Sequence, residues 1–243
     1  MSPGGVPAQL DVRIARKDFS AALGGQRSVL ADLTFRLGYG EVGALVGPSG
    51  CGKTTVLRII AGLDRDYDGT VQLPHHGRLG VMFQEPRLLP WRTVEDNVRL
   101  AAPHASAAAL AALFETLGLS THRQNFPGEL SLGLARRVAM ARAFAVEPDL
   151  LLLDEPFVSL DAALASQLGQ ALVDLVTRNP VTTLLVTHDV DEAISLADRV
   201  FLLSASPCRV IADVPIERPR TTRTADEMAA IRSEIERRRN QAG

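Results

Sequence analysis

The chain contains the stretch Gly47-Pro48-Ser49-Gly50-Cys51-Gly52-Lys53-Thr54-Thr55, which fits the pattern G-x-x-x-x-G-K-[ST] without a mismatch. The apolar run before it, Val42 to Val46, predicts a buried strand, and Thr55 to Ala61 has the pattern of a helix that begins where the loop ends. A strand, a glycine-rich loop and a helix in this order predict a phosphate-binding loop. The first ligand to consider is therefore a nucleoside triphosphate.

The chemistry of this loop follows from its residue types. Glycines let successive backbone N–H groups turn towards an anion, and the helix N-terminus adds unpaired donors and the positive end of its dipole. We expect all nine residues of the stretch to contact the nucleotide, with Lys53 at the β- and γ-phosphates and the Thr54 hydroxyl on Mg²⁺. The alternative is an ordinary glycine-rich turn that precedes a helix.

Composition narrows the class of protein. With 243 residues, 46% of them hydrophobic, the chain can bury the core of one domain, or of one domain that carries a smaller lobe. A formal net charge of -2 disfavours nucleic acid as a partner. The two cysteines, Cys51 and Cys208, indicate a reducing compartment rather than a disulfide framework. The first seven residues have no signal-peptide pattern, and no uncharged apolar run approaches the roughly 18 to 20 residues that span a bilayer. We therefore expect a cytoplasmic protein whose membrane role comes through partners.

Hydrophobic periodicity predicts an α/β fold. Leu10 to Ile14 and Ser28 to Leu37 alternate as strands and are expected to pair antiparallel. Four later apolar runs predict buried strands of a mainly parallel sheet: Leu79 to Phe83, Leu150 to Leu153, Thr183 to Val186 and Val200 to Leu203. The expected fold is a P-loop NTPase core with a mainly parallel sheet, an antiparallel β subdomain and an inserted helical subdomain.

The inserted subdomain is predicted where strand patterns stop. Between Gln84 and Pro148, helical periodicity covers Thr93 to Ala101, Ser106 to Leu117 and Ser131 to Phe144, which places the helical subdomain at about residues 85–148. From Pro215 the chain is rich in Arg and Glu, and three apolar residues at helical spacing (Met228, Ile231 and Ile235) predict a solvated terminal helix with one packed stripe.

Two acids follow an apolar run, in Leu150 to Leu153 and then Asp154, Glu155 and Pro156. An apolar strand that ends in acids places carboxylates at the edge of an α/β sheet where ligands bind. We expect Asp154 to hold Mg²⁺ through water and Glu155 to polarise an attacking water as a general base. A solvated acidic turn is the alternative.

Together these segments make the chain resemble the nucleotide-binding subunit of an ATP-binding cassette (ABC) transporter over nearly its whole length. The resemblance divides it into a flexible N-terminus (residues 1–9), an ABC ATPase domain (10–214) and a short C-terminal helical tail (215–243). Six segments occur in the family's order: the phosphate loop; Gln84 as the Q-loop, which senses Mg²⁺ and touches the membrane subunit; Leu130 to Arg137 as the signature sequence; Asp154 with Glu155; Ser159-Leu160-Asp161 as the D-loop; and His188 as the switch histidine.

The resemblance also implies roles for single residues. His188 would hydrogen-bond the γ-phosphate and hold the attacking water, and Gln84 would serve both catalysis and the metal. Phe19 resembles the aromatic residue that stacks on adenine; it could equally be a core residue, and Tyr39 has a weaker positional claim. Asp161 of the D-loop is expected at the nucleotide.

The signature sequence departs from the family's Leu-Ser-Gly-Gly-Gln. Leu132 replaces the first glycine and Leu134 replaces the glutamine, whereas Ser131 and Gly133 remain. Ser131 can cap the following helix, which leaves its hydroxyl and nearby backbone N–H groups to face a phosphate held by an opposing subunit. Leu132 could instead crowd the nucleotide. This departure keeps open a weak-turnover alternative, in which the chain is mainly an ATP-gated dimerisation module.

The resemblance implies the partners. Each ATP would be sandwiched in a two-fold homodimer, and transmembrane permease subunits would convert closure and hydrolysis into transport at the cytoplasmic face of the inner membrane. A periplasmic or extracellular substrate-binding protein would act indirectly. An ABC ATPase that acts on nucleic acid or ribosomes would need tandem cassettes, zinc cysteines or a long coiled-coil insertion, and the sequence has none of them.

A subfamily resemblance suggests the solute. The segment Gln84 to Val98, with Leu89-Pro90-Trp91, and the short tail with Arg218-Pro219-Arg220 resemble importers of nitrate, taurine and aliphatic sulfonates. Related members handle pyrimidine precursors, which remain an alternative. Trp91 could also be a plain core residue of the helical lobe.

Overall fold

The computed structural model describes residues 9–21 and 25–242. Of the expected flexible start, residues 1–9, all but Gln9 lie outside the described residues. The chain divides into two compact units, unit 1 (residues 1–76 and 182–243) and unit 2 (residues 77–181). The strands and α-helices, in chain order, are β1 (Leu10–Ala21), β2 (Gly25–Leu37), β3 (Val42–Val46), α1 (Lys53–Ile60), β4 (Asp68–Gln72), β5 (Leu79–Met82), α2 (Val94–Ala101), α3 (Ala107–Thr116), α4 (Leu132–Ala145), β6 (Leu150–Asp154), α5 (Ala162–Arg178), β7 (Thr182–Thr187), α6 (Val190–Leu196), β8 (Arg199–Leu203), β9 (Val210–Pro215) and α7 (Ala225–Ala242).

Unit 1 contains a three-stranded antiparallel sheet in the order β2-β1-β4. The predicted pairing of the first two strands is confirmed, with Leu10 opposite Leu37, although β1 continues to Ala21. The third strand, β4, was not predicted. Its residue Gly69 has φ 148°, and a Cβ there would lie 2.2 Å from the carbonyl oxygen of Arg13, so only glycine allows β1 and β4 to approach this closely.

Unit 1 also contains a layer of strands in the order β7-β3-β8-β9. β3 lies parallel to β7 and β8, and every residue of β3 and β7 is buried, as the apolar runs predicted. The antiparallel edge strand β9 was not predicted. Helices α1 and α6 contact this layer, and α7 contacts α6 and β9 through a stripe in which Ile235 is buried. Each buried aliphatic side chain contributes about 1.5 to 3 kcal/mol to the stability of this core.

Unit 2 combines two parallel strands with helices. β5 pairs with β6, with Leu79 opposite Leu150. Between residues 84 and 148 the chain forms helices, turns and loops without a strand, and α2 and α3 pack on α4. The three predicted helices are confirmed, and each is capped by the hydroxyl that precedes it: Thr93, Ser106 and Ser131. Across residues 9–21 and 25–242, no helix combines the length and the apolar character needed to span a membrane.

Candidate functional site

The phosphate loop joins the buried end of β3 to the start of α1 in unit 1. Gly50 and Gly52 have φ values of 76° and 125°, which side chains rarely tolerate. A Cβ on Gly52 would lie 2.9 Å from Leu30 Cδ2, and one on Gly47 would lie 2.8 Å from Leu203 Cβ. Glycine is therefore required at 52 for its backbone and at 47 for its packing. The helix begins at Lys53, two residues earlier than predicted, because Gly52 is already its N-cap.

The loop residues differ in exposure. Pro48, Ser49, Gly50 and Thr54 are exposed, Gly47, Gly52 and Thr55 are partly buried, and Cys51 and Lys53 are buried. Nζ of Lys53 donates hydrogen bonds to the carbonyl oxygens of Gly47 at 2.8 Å and Pro48 at 3.1 Å. The ammonium group is thus held against the loop itself, and positive charge is concentrated where the sequence predicts phosphate.

The two cysteines lie beside each other in unit 1. The Cys208 thiol donates a hydrogen bond to the Cys51 sulfur, and this bond, together with the charge of Lys53, lowers the pKa of Cys51 to about 6. The same hydrogen bond and burial raise the pKa of Cys208. Both side chains are buried and reduced. The strand-like segment around Cys208 is fixed by its N–H, which donates to the carbonyl oxygen of Val29 at 2.7 Å.

His188 follows β7, the strand next to β3. Because Val46 pairs with Thr187 in the parallel register, the phosphate loop and His188 leave the same edge of the layer from neighbouring strands. The His188 side chain is exposed. Next to it, Asp189 caps α6 and donates its backbone N–H to the Thr187 hydroxyl at 3.0 Å. The structure therefore brings two predicted parts of the site together in unit 1.

Phe19 lies near the end of β1 and is 44% exposed, so it is not a core residue. The Lys17 ammonium lies 4.7 Å from the centroid of its ring. Tyr39, in the turn after β2, is 60% exposed and makes an edge contact with His75 at a centroid distance of 4.9 Å.

Gln84, Asp154 and Glu155 come together in unit 2. Met82 pairs with Leu153, so Gln84 and the two acids follow adjacent parallel strands at the same edge. Asp154 is buried, with 3% of its surface exposed, whereas Gln84 is exposed and Glu155 is half-buried. Glu155 has φ 44°, an uncommon conformation for a residue with a side chain, and one that clusters at functional sites.

The signature segment begins α4. Ser131 caps the helix by accepting a hydrogen bond from the Leu134 N–H at 3.3 Å, and the Leu132 side chain is 44% exposed at this end. Gly133 is buried, and a Cβ there would lie 3.3 Å from Cδ1 of Leu164. The Leu164 N–H in turn donates to Asp161, the N-cap of α5, at 2.9 Å. The signature segment and the D-loop are thus packed together through Leu164.

The expected metal ligands are a hydroxyl (Thr54), an amide oxygen (Gln84) and a carboxylate (Asp154). This set of hard oxygen donors suits Mg²⁺ and does not suit a soft metal. Among residues 9–21 and 25–242, no group of three or more His, Cys, Asp or Glu side chains could form an all-protein metal site. In unit 2, the amide oxygen of Gln84 and the carboxylate of Asp154 are donors of the kind that Mg²⁺ binds, and Thr54 of unit 1 offers a hydroxyl of the same kind.

Sequence reasoning missed three polar residues that shape unit 2. Asn97 is buried in α2, accepts from the Leu89 N–H at 2.7 Å and donates to backbone carbonyls of the preceding loop. Arg136 and Arg142 of α4 bind backbone carbonyls after Glu155 and after Gln84, respectively. A signal existed for two of them, since Asn97 and Arg136 are polar residues at helical spacing from buried positions.

Comparison with known proteins gives one consistent result. The family described as ABC transporter matches residues 30–158. The chain is 43% identical over 242 residues to an aliphatic sulfonates import ATP-binding protein of Burkholderia cenocepacia, with 96% of this chain and 87% of the relative covered. It is 40% identical over 239 residues to the protein of the same name in Bacillus licheniformis, with 93% and 92% covered.

The solved structures agree on the fold. A dimeric structure of a bacterial ABC transporter cassette matches with a TM-score of 0.76 at 24% identity, covering 86% of this chain and all of that one. A dimeric post-hydrolysis state of the cassette, bound to ADP and phosphate, matches with a TM-score of 0.75 at 25% identity over 86% of this chain. These matches confirm the predicted fold class of an ABC ATPase.

Proposed function

The chain belongs to the ABC transporter family as an ATP-binding subunit and ATPase, and we propose that it energises the import of small anions of the alkanesulfonate class. The observation that carries the ATPase assignment is the phosphate loop, with Gly52 at φ 125° and Lys53 buried against the loop carbonyls. The relatives' printed names support the solute class. Taurine and nitrate are chemically related small anions, and pyrimidine precursors are the alternative solute.

ATP hydrolysis requires a water to attack the γ-phosphorus while the bond to the β–γ bridging oxygen breaks. In the proposed reaction the phosphate loop and Lys53 hold the phosphates, and Glu155 removes a proton from the attacking water. His188 donates a hydrogen bond to the γ-phosphate and orients the attacking water. Gln84, in the segment after β5, contacts the same water. The products are ADP and inorganic phosphate. Phe19 supplies an exposed ring face for the adenine.

Mg²⁺ is proposed as the cofactor, held by Thr54, Gln84 and Asp154, whose oxygen donors suit it. When bound, it neutralises phosphate charge during the transfer. The proposal is supported by the position of Asp154, which is the last residue of the buried strand β6 and is itself buried.

The active form is proposed to be a two-fold homodimer in which each ATP lies between the phosphate loop of one subunit and the signature segment of the other. Ser131 and the backbone N–H groups at the start of α4, with Gly133 and Asp161, would face the partner's nucleotide. Transmembrane permease subunits would use this closure at the cytoplasmic face of the inner membrane. A substrate-binding protein outside the membrane would deliver the solute.

One observation favours a second candidate. The exposed Leu132 side chain stands at the start of α4, where the partner's phosphate would bind, and it could slow turnover. The chain would then act mainly as a dimerisation module that closes on ATP. Leu132→Gly separates the two cases, because a module limited by crowding should gain turnover at least about tenfold, whereas a competent ATPase should change little.

The decisive experiment substitutes Glu155→Gln and measures steady-state ATPase activity and elution on gel filtration with ATP and Mg²⁺. We expect turnover to fall at least about 100-fold and the variant to elute as an ATP-bound dimer. Glu147→Gln is the matched control, since Glu147 also has a positive φ, 49°, and its side chain is exposed. Equal turnover of wild type and Glu155→Gln would remove Glu155 from this role, and monomeric elution of Glu155→Gln would count against the sandwich dimer.

A further inference from the structure

Arg136 binds three backbone carbonyl groups at and just after the proposed general base, Glu155. Its Nη1 donates to the carbonyl oxygens of Glu155 at 3.2 Å and Pro156 at 3.1 Å, and its Nη2 donates to that of Val158 at 2.9 Å. The arginine is 3% exposed. Burying a guanidinium is costly unless its donors are paired. The folded chain therefore strongly favours the conformation that keeps these three hydrogen bonds.

The backbone that Arg136 holds is strained. Glu155 and Ser159 have φ values of 44° and 64°, a left-handed conformation that is unfavourable for a residue with a side chain. Local backbone bonds in this segment are few, with one long bond of 3.4 Å from the Val158 N–H to the Glu155 carbonyl oxygen and one of 3.2 Å from the Leu160 N–H to the Phe157 carbonyl oxygen. A strained segment with weak local bonds keeps one conformation only when its surroundings over-determine it. Arg136 supplies that constraint from α4.

The same helix holds the Gln84 segment in the same way. Arg142, two turns further along α4, donates to the carbonyl oxygens of Arg87 at 2.9 Å and Pro86 at 2.8 Å. By contrast, Arg137 donates to the Leu117 carbonyl oxygen at 3.1 Å and to Gln167 at 2.9 Å, away from both segments. α4 therefore carries two arginines, Arg136 and Arg142, that bind the backbone of proposed site segments, whereas Arg137 binds neither segment.

From these contacts we propose that Arg136 is a positioning residue for hydrolysis, which fixes the Glu155 backbone so that its carboxylate is aimed at the attacking water. The proposal rests on the proposed function, because it takes Glu155 as the general base. It adds a consequence for the dimer. Since Ser131 starts the helix that carries Arg136, contact of α4 with the partner's nucleotide is linked mechanically to the placement of Glu155 in the same subunit.

The test measures kcat, KM for ATP and thermal stability of the full chain for Arg136→Met, Arg136→Lys and the control Arg238→Met. Arg136→Met keeps an apolar stem but loses the donors, and we expect kcat to fall at least about tenfold while KM changes less than about twofold. Arg136→Lys retains a charged donor and should recover part of kcat. Arg238 of α7 donates to Glu234 at 2.6 Å and to the carbonyl oxygen of Asp213 at 3.0 Å, so Arg238→Met loses two contacts as well and should keep kcat close to that of wild type.

A double-mutant cycle with Glu155→Gln completes the test. If Arg136 acts through Glu155, adding Arg136→Met to Glu155→Gln should lower kcat no further. Unchanged kcat in Arg136→Met, equal losses in Arg136→Met and Arg238→Met, or fully additive losses in the cycle would overturn the proposal. If Arg136→Met does not fold, Arg136→Lys carries the same comparison. Normal turnover of Glu155→Gln would instead refute the proposed role of Glu155.

Discussion

The substitution Gly52→Ala tests the geometry of the phosphate loop most directly. Gly52 has φ 125°, where an alanine is strained by about 1 to 3 kcal/mol. Its new Cβ would also lie 2.9 Å from Leu30 Cδ2 and 3.1 Å from Val29 Cγ1. Leu30 is fully buried, so relief requires a shift of the core, which typically costs a further 1 kcal/mol or so. We expect the free energy of unfolding to fall by about 3 kcal/mol.

Gly50→Ala is the matched control in the same loop. Gly50 has φ 76°, in the left-handed region, but a Cβ there would meet no atom within 4 Å. Strain alone should then cost about 1 kcal/mol. Urea denaturation followed by far-ultraviolet circular dichroism measures both. With a typical slope of roughly 2 kcal/mol per M, Gly52→Ala should lower the midpoint by about 1.5 M and Gly50→Ala by about 0.5 M. Equal midpoints for the two variants would refute the steric argument.

Three further perturbations test other parts of the chain. Asn97→Ala leaves buried backbone groups unpaired and should lower the free energy of unfolding by about 3 kcal/mol; a change below about 0.5 kcal/mol contradicts this. Lys17→Met breaks a buried ion pair with Asp64 at 2.9 Å and should cost about 3 kcal/mol, part of which Lys17→Met combined with Asp64→Asn should restore; no restoration would contradict the pairing. The thiolate absorbance of Cys51 should titrate near pH 6, be absent in Cys51→Ser and move upward in Cys208→Ala. Because the folded pKa lies below the ordinary 9.0, the stability from this group is complete above about pH 9 and is lost as the pH falls through 6; a step that stays in place in Cys208→Ala would contradict the hydrogen bond.

The regular elements were predictable where one local signal was enough. The run Val42 to Val46 is apolar throughout and forms β3 with the predicted bounds. The helices after Thr93, Ser106 and Ser131 were predictable because a capping hydroxyl stands before each apolar period.

The strands that were missed lack such a signal. β4, with the sequence Asp-Gly-Thr-Val-Gln, has little apolar content and is mostly exposed. It is a strand because Gly69 admits the β1 backbone, a long-range contact that no local pattern contains. β9 is likewise an edge strand, held by its antiparallel register with β8.

The residues of the candidate site also differ in how far a local sequence pattern reveals them. Residues of a ligand-binding motif, such as Lys53 and Asp154, stand out in the sequence because the chemistry needs those residue types at that spacing, and their ligand contacts stay a prediction. For residues that act on the protein itself, such as Arg136, the sequence shows at most a polar residue at the helical spacing of buried positions, and not the contact that it makes. Arg136 contacts backbone carbonyls 19 to 22 positions away. Because any residue type can supply a carbonyl oxygen, no sequence pattern identifies which residues Arg136 binds.

Under our proposal, the left-handed backbone at Glu155 is a position where the chain gives up stability for chemistry. A φ of 44° suits glycine, and glycine there would relieve about 1 kcal/mol of strain. The chain nevertheless carries a side chain with a carboxylate. A search for stabilising substitutions would therefore select glycine at this position, and by our proposal it would select against hydrolysis at the same time. Glu155→Gly is thus a substitution that the fold would accept readily and that, by our proposal, the reaction would not accept.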